Sequence, residues 1–249
     1  VEAQQIVEKA IQEAENTTRE QLATARESLK TGKELVKAEK SMQNLLEDSV
    51  NRTNTKIWVM LCDILMKQYE QGNEKLYLKQ QYDTAAFFSV TKRMYETMAK
   101  FDSIDAHLNM PSPVLPKYRE RHAQFLNSIR PNLFNGGTYF LHVKDYKTAY
   151  DYFDNYIKTD KQSLFIGYDY EHKDDLMPHA AYWAMYCGYK LGDTEKTMRY
   201  LNLAERDSSM LNFVRQYEAS AYLMQKDITK YLKALQEGFK EYPNFAFFF

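Results

Sequence analysis

Turn-forming residues are scarce in this sequence of 249 residues. It contains 8 Gly, where average usage would give about 17, and none of its 6 Pro precedes Pro111. Strand-rich domains need turn signals about every 8–12 residues, whereas the first 110 residues offer only Gly32 and Gly72. The scarcity excludes a β-sandwich or β-barrel and predicts an all-α fold.

Cysteine is equally rare, and neither sign of charge is in excess. Cys62 and Cys187 stand alone in apolar helical context, without the spacing of a metal or redox pair, so we expect two buried thiols. Lys and Arg total 33 against 34 Asp and Glu, and no basic run exceeds two residues. This balance disfavours a nucleic-acid surface and a polybasic membrane patch. The longest apolar run, residues 57–62, is too short to cross a bilayer, so no membrane insertion is expected.

Recognisable catalytic and metal-binding patterns are missing as well. None of the 5 His has the partner spacing of a metal site on a helix, and the sequence holds neither a G-x-S-x-G turn nor a phosphate-binding Gly loop. We therefore predict no catalytic residue, no metal and no cofactor. The acidic group formed by Glu171, His172, Asp174 and Asp175 is interpreted as part of a solvated loop.

What the sequence does contain is a succession of amphipathic helical segments. Residues 2–50 have a helix-forming composition with a break at Thr31-Gly32, and a second boundary is plausible near Asn16. Further helices are predicted over residues 56–69, 82–100 and 118–129, with a connector beginning at Gly72.

A proline-containing loop predicts the division of the chain. Pro111, Pro113 and Pro116 fall within residues 102–117, where no helical pattern continues. We therefore predict an N-terminal helical region over residues 1–110 and a C-terminal region over residues 111–249.

The C-terminal region carries a repeat. Lys144-Asp145, Gly192-Asp193 and Lys226-Asp227 each interrupt a pair of helical patterns, and the last two lie 34 residues apart. The first interval is 48 residues, which predicts an inserted loop near residues 162–177. A period of 34 residues is that of tetratricopeptide helix pairs.

Residues 131–243 resemble the tetratricopeptide family at the positions where helices approach one another. Small and large residues alternate there in the family's order, at Leu133, Gly136, Gly137, Phe140, Ala149 and Phe153, at Leu201 and Ala204, and at Ala219, Tyr222, Leu235 and Pro243. The resemblance implies a right-handed α-α superhelix of antiparallel helix pairs with a concave face that binds a protein or peptide. Residues 1–110 would be degenerate repeats of the same kind.

The family's groove positions can be transferred to this sequence. They are Phe134, Thr138, His179, Tyr182, Tyr186, Tyr189, Phe213 and Gln216. Tyr182, Tyr186 and Tyr189 share one helix face by their spacing, and we expect them to be partly exposed with Phe213 nearby. The alternative is that these rings pack against the next repeat.

The resemblance leaves the ligand open. The leading hypothesis is a non-enzymatic scaffold for a protein or peptide ligand. The alternative is a carbohydrate-binding component of a bacterial nutrient-uptake system, and an enzyme of unrecognised type is a third hypothesis. The start at Val1 leaves cytoplasmic and exported locations open. The apolar run Phe245–Phe249 is expected to begin the first helix of a further repeat or to pack as the remnant of one.

Overall fold

The computed structural model describes residues 1–108 and 115–249. Helix accounts for 81% of the structure, and no strand occurs in the described residues, so the all-α prediction is confirmed. The α-helices are α1 Glu2–Thr31, α2 Leu35–Glu47, α3 Thr55–Tyr77, α4 Thr84–Leu108, α5 Arg119–His142, α6 Tyr146–Lys158, α7 Tyr170–Lys173, α8 Met177–Leu191, α9 Thr194–Met198, α10 Leu201–Ala204, α11 Leu211–Met224 and α12 Ile228–Glu241. Short 3₁₀ turns lie at Thr159–Lys161, Ser163–Phe165, Ser208–Met210 and Ala246–Phe248.

Several predicted helix ends are wrong. α1 continues through Asn16 and ends where expected, at Gly32, whose φ of 71° closes the helix. α3 continues past Gly72 to Tyr77. The glycine makes room for the Tyr82 ring, since a Cβ at this position would lie 2.8 Å from it. The part of the predicted loop from residue 102 to Leu108 is helical, as the end of α4.

Proline inside α5 does not end that helix. Pro131 lies within Arg119–His142, although the sequence predicts a stop near residue 129. Leu126 and Leu133, one on each side of the proline, are 0% exposed. They lie seven residues apart on one helix face, so burial of that face offsets the hydrogen bond that proline removes.

The chain forms two compact units, Val1–His122 and Ala123–Phe249. The predicted boundary between residues 110 and 111 lies outside the described residues, as do Pro111 and Pro113. The division between the units falls within α5.

The first unit has a core built from α2, α3 and α4. Met42, Ile64 and Met98 are each 0% exposed there. A partly buried ion pair joins α2 to α4, with half-buried Arg93 donating to both carboxylate oxygens of buried Glu39 at 2.8 and 3.1 Å. Two parallel charge-assisted hydrogen bonds of this kind fix the relative position of the two helices.

The second unit repeats one turn geometry at the three predicted turns. Each turn has a residue in the left-handed conformation followed by Asp, at Lys144 (φ 60°), Gly192 (φ 66°) and Lys226 (φ 60°). The N–H of the following Asp donates to a carbonyl five residues earlier, at 2.9, 3.0 and 2.9 Å respectively. The Asp carboxylate then accepts from the N–H three residues later, at Thr148, Lys196 and Lys230. At each of the three turns, the same motif therefore ends one helix and caps the helix that follows it.

Small residues allow close helix packing between the turns. Ala149, Ala204 and Ala219 are 0% exposed. A Cβ at Gly137 would lie 2.6 Å from the Phe153 ring, and one at Gly188 would lie 2.7 Å from the carbonyl carbon of Lys196. The sequence interpretation of these positions as close-packing sites agrees with their burial.

The inserted segment between α6 and α8 is packed against the rest of its unit. Leu164, Phe165 and Tyr170 are buried, and the Tyr170 hydroxyl donates to the Asn127 side chain of α5 at 2.7 Å. The interpretation of this segment as a solvated loop is therefore wrong over these residues.

Arg130 of α5 anchors the same segment. Its guanidinium lies between the rings of Tyr156 and Tyr170, 3.8 and 3.7 Å from their centroids, and it forms an ion pair with Asp174. Arg130 is only 5% exposed, so the carboxylate and the two ring faces replace its lost hydration. Asp174 is thus a structural partner of Arg130.

The last residues also pack. Phe248 is 7% exposed and lies against Gly238. Phe245 meets Phe213 edge to face, with ring centroids 5.4 Å apart, whereas Phe249 is 77% exposed. Packing of the terminal run is confirmed for Phe245 and Phe248.

Candidate aromatic binding surface

Three helices of the second unit carry the predicted groove residues. Phe134 and Thr138 lie on α5, His179 and the three tyrosines lie on α8, and Phe213 and Gln216 lie on α11. Thr138 is exposed, and the others are half-buried except Tyr182. Tyr182 is 4% exposed, so the expectation of partial exposure is wrong for this ring.

Aromatic contacts connect most of these residues into one cluster. The rings of Phe134 and His179 lie 6.1 Å apart, and those of His179 and Tyr182 lie 6.2 Å apart. Trp183 meets Tyr186 edge to face at 5.5 Å. The hydroxyl of Thr138, by contrast, donates to the Phe134 carbonyl within its own helix at 3.3 Å.

Tyr217 is the centre of the cluster, although it is not among the predicted groove residues. Its ring lies 4.6 Å from that of Tyr189, 5.9 Å from Tyr186 and 6.4 Å from Phe213. It also stacks on Tyr182 at 6.2 Å, and it is 5% exposed. Tyr217 lies four residues after Phe213, which places both rings on one side of α11. This spacing is the sequence signal that could have identified Tyr217 as part of the cluster.

We call the half-buried rings of Trp183, Tyr186, Tyr189 and Phe213 the aromatic surface. Buried Tyr182 and Tyr217 lie beneath it and contact its members. Offset and edge-to-face pairs of this kind stabilise one another by about 0.5–1.5 kcal/mol beyond their buried area. The aromatic surface is therefore held in place by a fixed layer rather than by flexible side chains.

A polar chain fixes the edge of this surface. The indole Nε1–H of Trp183 donates to His179 Nε2 at 3.1 Å, and His179 Nδ1 lies 2.8 Å from an Asp207 carboxylate oxygen. Because the indole nitrogen can only donate, Nε2 is the acceptor and Nδ1–H donates to Asp207. Burial raises the pKa of Asp207, but hydrogen bonds from Ser209 and His179 outweigh it and leave this pKa below its usual value.

Three tyrosine hydroxyl groups in and under the surface stay protonated. Burial raises the pKa of Tyr182, Tyr186 and Tyr217 above the usual tyrosine value. At neutral pH these groups are uncharged and able to donate a hydrogen bond. The surface thus offers apolar ring faces and neutral hydroxyl groups to a ligand.

Two clefts lie away from this surface. One, in the first unit, is lined by Trp58, Leu61, Arg52 and Lys100 among others. Another, in the second unit, is lined by Glu205, Arg215, Glu218, Glu237 and Glu241 among others. No residue of the aromatic surface lines either cleft, and half-exposed rings on two helices suit an extended ligand better than a small molecule, which pockets normally enclose.

Residues 1–108 and 115–249 contain no group of three or more His, Cys, Asp or Glu side chains able to hold a metal ion. Of the helices described, none combines the length and apolar character needed to span a membrane.

Comparison of the chain with protein families, with curated proteins and with solved structures gave no match.

Proposed function

We propose that this chain is a non-enzymatic binding scaffold whose aromatic surface on α8 and α11 holds a peptide segment of another protein. The observation that carries the proposal is the half-exposure of Trp183, Tyr186, Tyr189 and Phe213 over a buried aromatic layer. Tyr and Trp are enriched at interfaces because each offers a large rigid ring and a polar atom at modest entropic cost.

The proposal includes a tetratricopeptide-like arrangement of the second unit. Support comes from the shared turns before Asp145, Asp193 and Asp227 and from the buried small residues between them. Helix pairs joined by equal turns stack with a small constant rotation, which generates a superhelix with a concave face. In that arrangement α5, α8 and α11 are the first helices of successive pairs and line the concave face together.

A peptide selection tests this function. Random twelve-residue peptides displayed on phage are selected on the immobilised chain, and the affinities of the recovered peptides are measured for wild type, Tyr186→Ala and Tyr189→Ala. A ring at the centre of an interface contributes about 2 kcal/mol or more, so each truncation should weaken binding roughly thirtyfold. Because both rings are half-exposed, each truncation should lower the urea unfolding midpoint less than truncation of buried Tyr217 does.

Two matched variants control for loss of structure and for nonspecific aromatic binding. Tyr231→Ala removes another half-buried tyrosine, on α12, and should leave affinity unchanged. Tyr217→Ala removes the buried ring beneath the surface and should destabilise the unit by about 3–5 kcal/mol, as large core truncations do. Equal affinity of the selected peptides for wild type, Tyr186→Ala and Tyr189→Ala would refute the proposed site.

A carbohydrate is the second candidate ligand. The same rings present apolar faces beside hydroxyl groups and the imidazole of His179, a combination that also suits sugar rings. A glycan array probed with wild type and Tyr186→Ala distinguishes the two. Binding to defined glycans that Tyr186→Ala abolishes, together with no enrichment of peptides, would favour the carbohydrate ligand.

A further inference from the structure

The first half of α1 has an apolar face that the described residues leave uncovered. Every residue from 1 to 17 is exposed. Ile6, Val7 and Ile11 are 69%, 57% and 54% exposed. Large aliphatic side chains so close together on one helix are unusual on a surface without a partner.

This face continues an interface that already exists in the first unit. The second half of α1 buries Ala25 and Ser28, and Gln21 accepts a hydrogen bond from Ser41 of α2 at 3.1 Å. Steps of seven residues back from Ser28 lead through Gln21 and Ala14 to Val7, and steps back from Ala25 lead to Ile11. A repeat of seven residues keeps side chains on one helix face, so the uncovered stripe and the packed stripe are one continuous seam.

The seam is uncovered because α1 is longer than its neighbour. α1 has 30 residues and α2 has 13. At 1.5 Å per residue these are roughly 45 and 20 Å. About half of α1 therefore extends past α2 with the same packing face.

Charges beside the stripe determine what can cover it. Residues 2–17 contain four Glu and one Lys. Helical spacing places Glu8 and Glu15 on one side of the stripe and Glu13 on the other, whereas Glu2 and Lys9, seven residues apart, share a face farther from it. A second copy paired along this stripe would bring carboxylates against carboxylates, which is destabilising.

We propose that the stripe of Ala3, Val7, Ile11 and Ala14 pairs in coiled-coil fashion with an amphipathic helix of another protein, and that this helix carries Lys or Arg beside its own apolar stripe. The acidic borders attract such a helix and disfavour both self-pairing and an anionic membrane surface. The small Ala3 and Ala14 let the two backbones approach closely, while Val7 and Ile11 supply the apolar contact.

Binding should also order this part of α1. An isolated helix of this length is marginal in water, and the first half of α1 is supported only locally, by contacts such as those from Gln4 to Glu8 at 3.3 Å and from Lys9 to Glu13 at 4.0 Å. Slower amide hydrogen exchange over residues 2–17 on binding is therefore the structural signature of the pairing.

The probe is a synthetic helix of three heptads with Ile and Leu at the seam and Lys at the flanking positions, and its counterpart has Glu at those flanking positions. Binding to the 249-residue chain is followed by fluorescence anisotropy. The Lys-flanked peptide should bind at least about tenfold more tightly than its counterpart and should slow exchange over residues 2–17. Val7→Asn with Ile11→Asn should weaken binding by at least about tenfold, equivalent to 1.4 kcal/mol.

The matched control introduces two Asn residues on the opposite face of the helix. Gln5→Asn with Gln12→Asn also lowers helix propensity but leaves the stripe intact, so it should bind the Lys-flanked peptide like wild type. Equal binding of both peptides, or equal weakening by the two double variants, would overturn the proposal. So would concentration-dependent self-association that Val7→Asn with Ile11→Asn abolishes, because a second copy would then be the occupant.

Discussion

At the scale of single residues, His122 shows how burial changes chemistry without creating a functional site. The imidazole is 2% exposed and lies among the rings of Phe101 and Tyr118, with centroids 6.2 and 5.9 Å away. Burial and, to a smaller extent, the charge of Arg121 lower its pKa to about 4, and Asp102 opposes this change. The folded chain therefore holds this histidine neutral.

The first prediction concerns the pH dependence that follows. The unfolded chain binds a proton at His122 near pH 6.5 and the folded chain only near pH 4. The stabilising contribution of the neutral ring is thus complete above pH 6.5 and is lost as the pH falls towards 4. Between pH 7 and 5 His122 should lower the free energy of unfolding by about 2 kcal/mol, and His122→Phe should remove this part of the pH dependence.

Urea unfolding at several pH values measures the effect. Trp58 fluorescence in a Trp183→Phe background reports on the first unit, which contains Trp58 and His122. The exposed His107 is the matched control, and His107→Phe should keep the wild-type pH dependence. If His122→Phe loses as much stability as wild type between pH 7 and 5, the buried neutral imidazole is not the source of the pH dependence.

At the scale of helices, Gly188 allows α8 and α9 to touch through their backbones. A Cβ at this position would lie 2.7 Å from the carbonyl carbon of Lys196 and 2.8 Å from the Cα of Thr197. Backbone atoms of a packed helix cannot move aside as a side chain can. Gly188→Ala should therefore force the two helices apart and destabilise the unit by about 1–3 kcal/mol, despite the better helix propensity of Ala.

Gly137→Ala is the comparison for this prediction, since Gly137 also lies inside a helix of the second unit. Its new Cβ would meet the edge of the Phe153 ring, a side chain that can adjust slightly, so the loss of stability should be smaller. Urea unfolding followed by Trp183 fluorescence measures both variants. Equal losses of stability would mean that the backbone contact at Gly188 is no tighter than the contact between Gly137 and the Phe153 ring.

The sequence predicts helices and turns where local chemistry decides them. The turns at Asp145, Asp193 and Asp227 were predictable because a capping Asp and the residue before it carry their own geometry. The continuation of α5 through Pro131 was not predictable, because packing on both sides of the proline overrides the local tendency of proline to end a helix.

The aromatic surface was predictable only in part, because burial depends on what other helices place nearby. The spacing of Tyr182, Tyr186 and Tyr189 indicates one helix face. It cannot show that Tyr182 is buried by stacking on Tyr217. The packed insertion around Arg130 was missed for the same reason, since Tyr156, Tyr170 and Asp174 come together only in three dimensions.

At the scale of the whole molecule, each compact unit contains one cysteine. Cys62 lies in the first unit and Cys187 in the second, and both are 0% exposed. Burial raises the pKa of both thiols, with a smaller contribution from Asp63 at Cys62, and the pKa of Cys187 rises to about 12. The reactive thiolate is therefore suppressed in both units as long as they stay folded.

Thiol labelling should consequently report the opening of each unit separately. With iodoacetamide at pH 8, followed by peptide mass spectrometry, each cysteine of the folded chain should react at least about a thousandfold more slowly than in 6 M guanidinium chloride. For Cys187 the rise in pKa to about 12 alone reduces the thiolate by about that factor, and for both cysteines lack of access slows the reaction further. Gly188→Ala, which lies beside Cys187 in α8, should speed the labelling of Cys187, because weaker packing against α9 increases the open fraction. A thiol that reacts in the folded chain within tenfold of its unfolded rate would contradict the burial of that cysteine and the core packing around it.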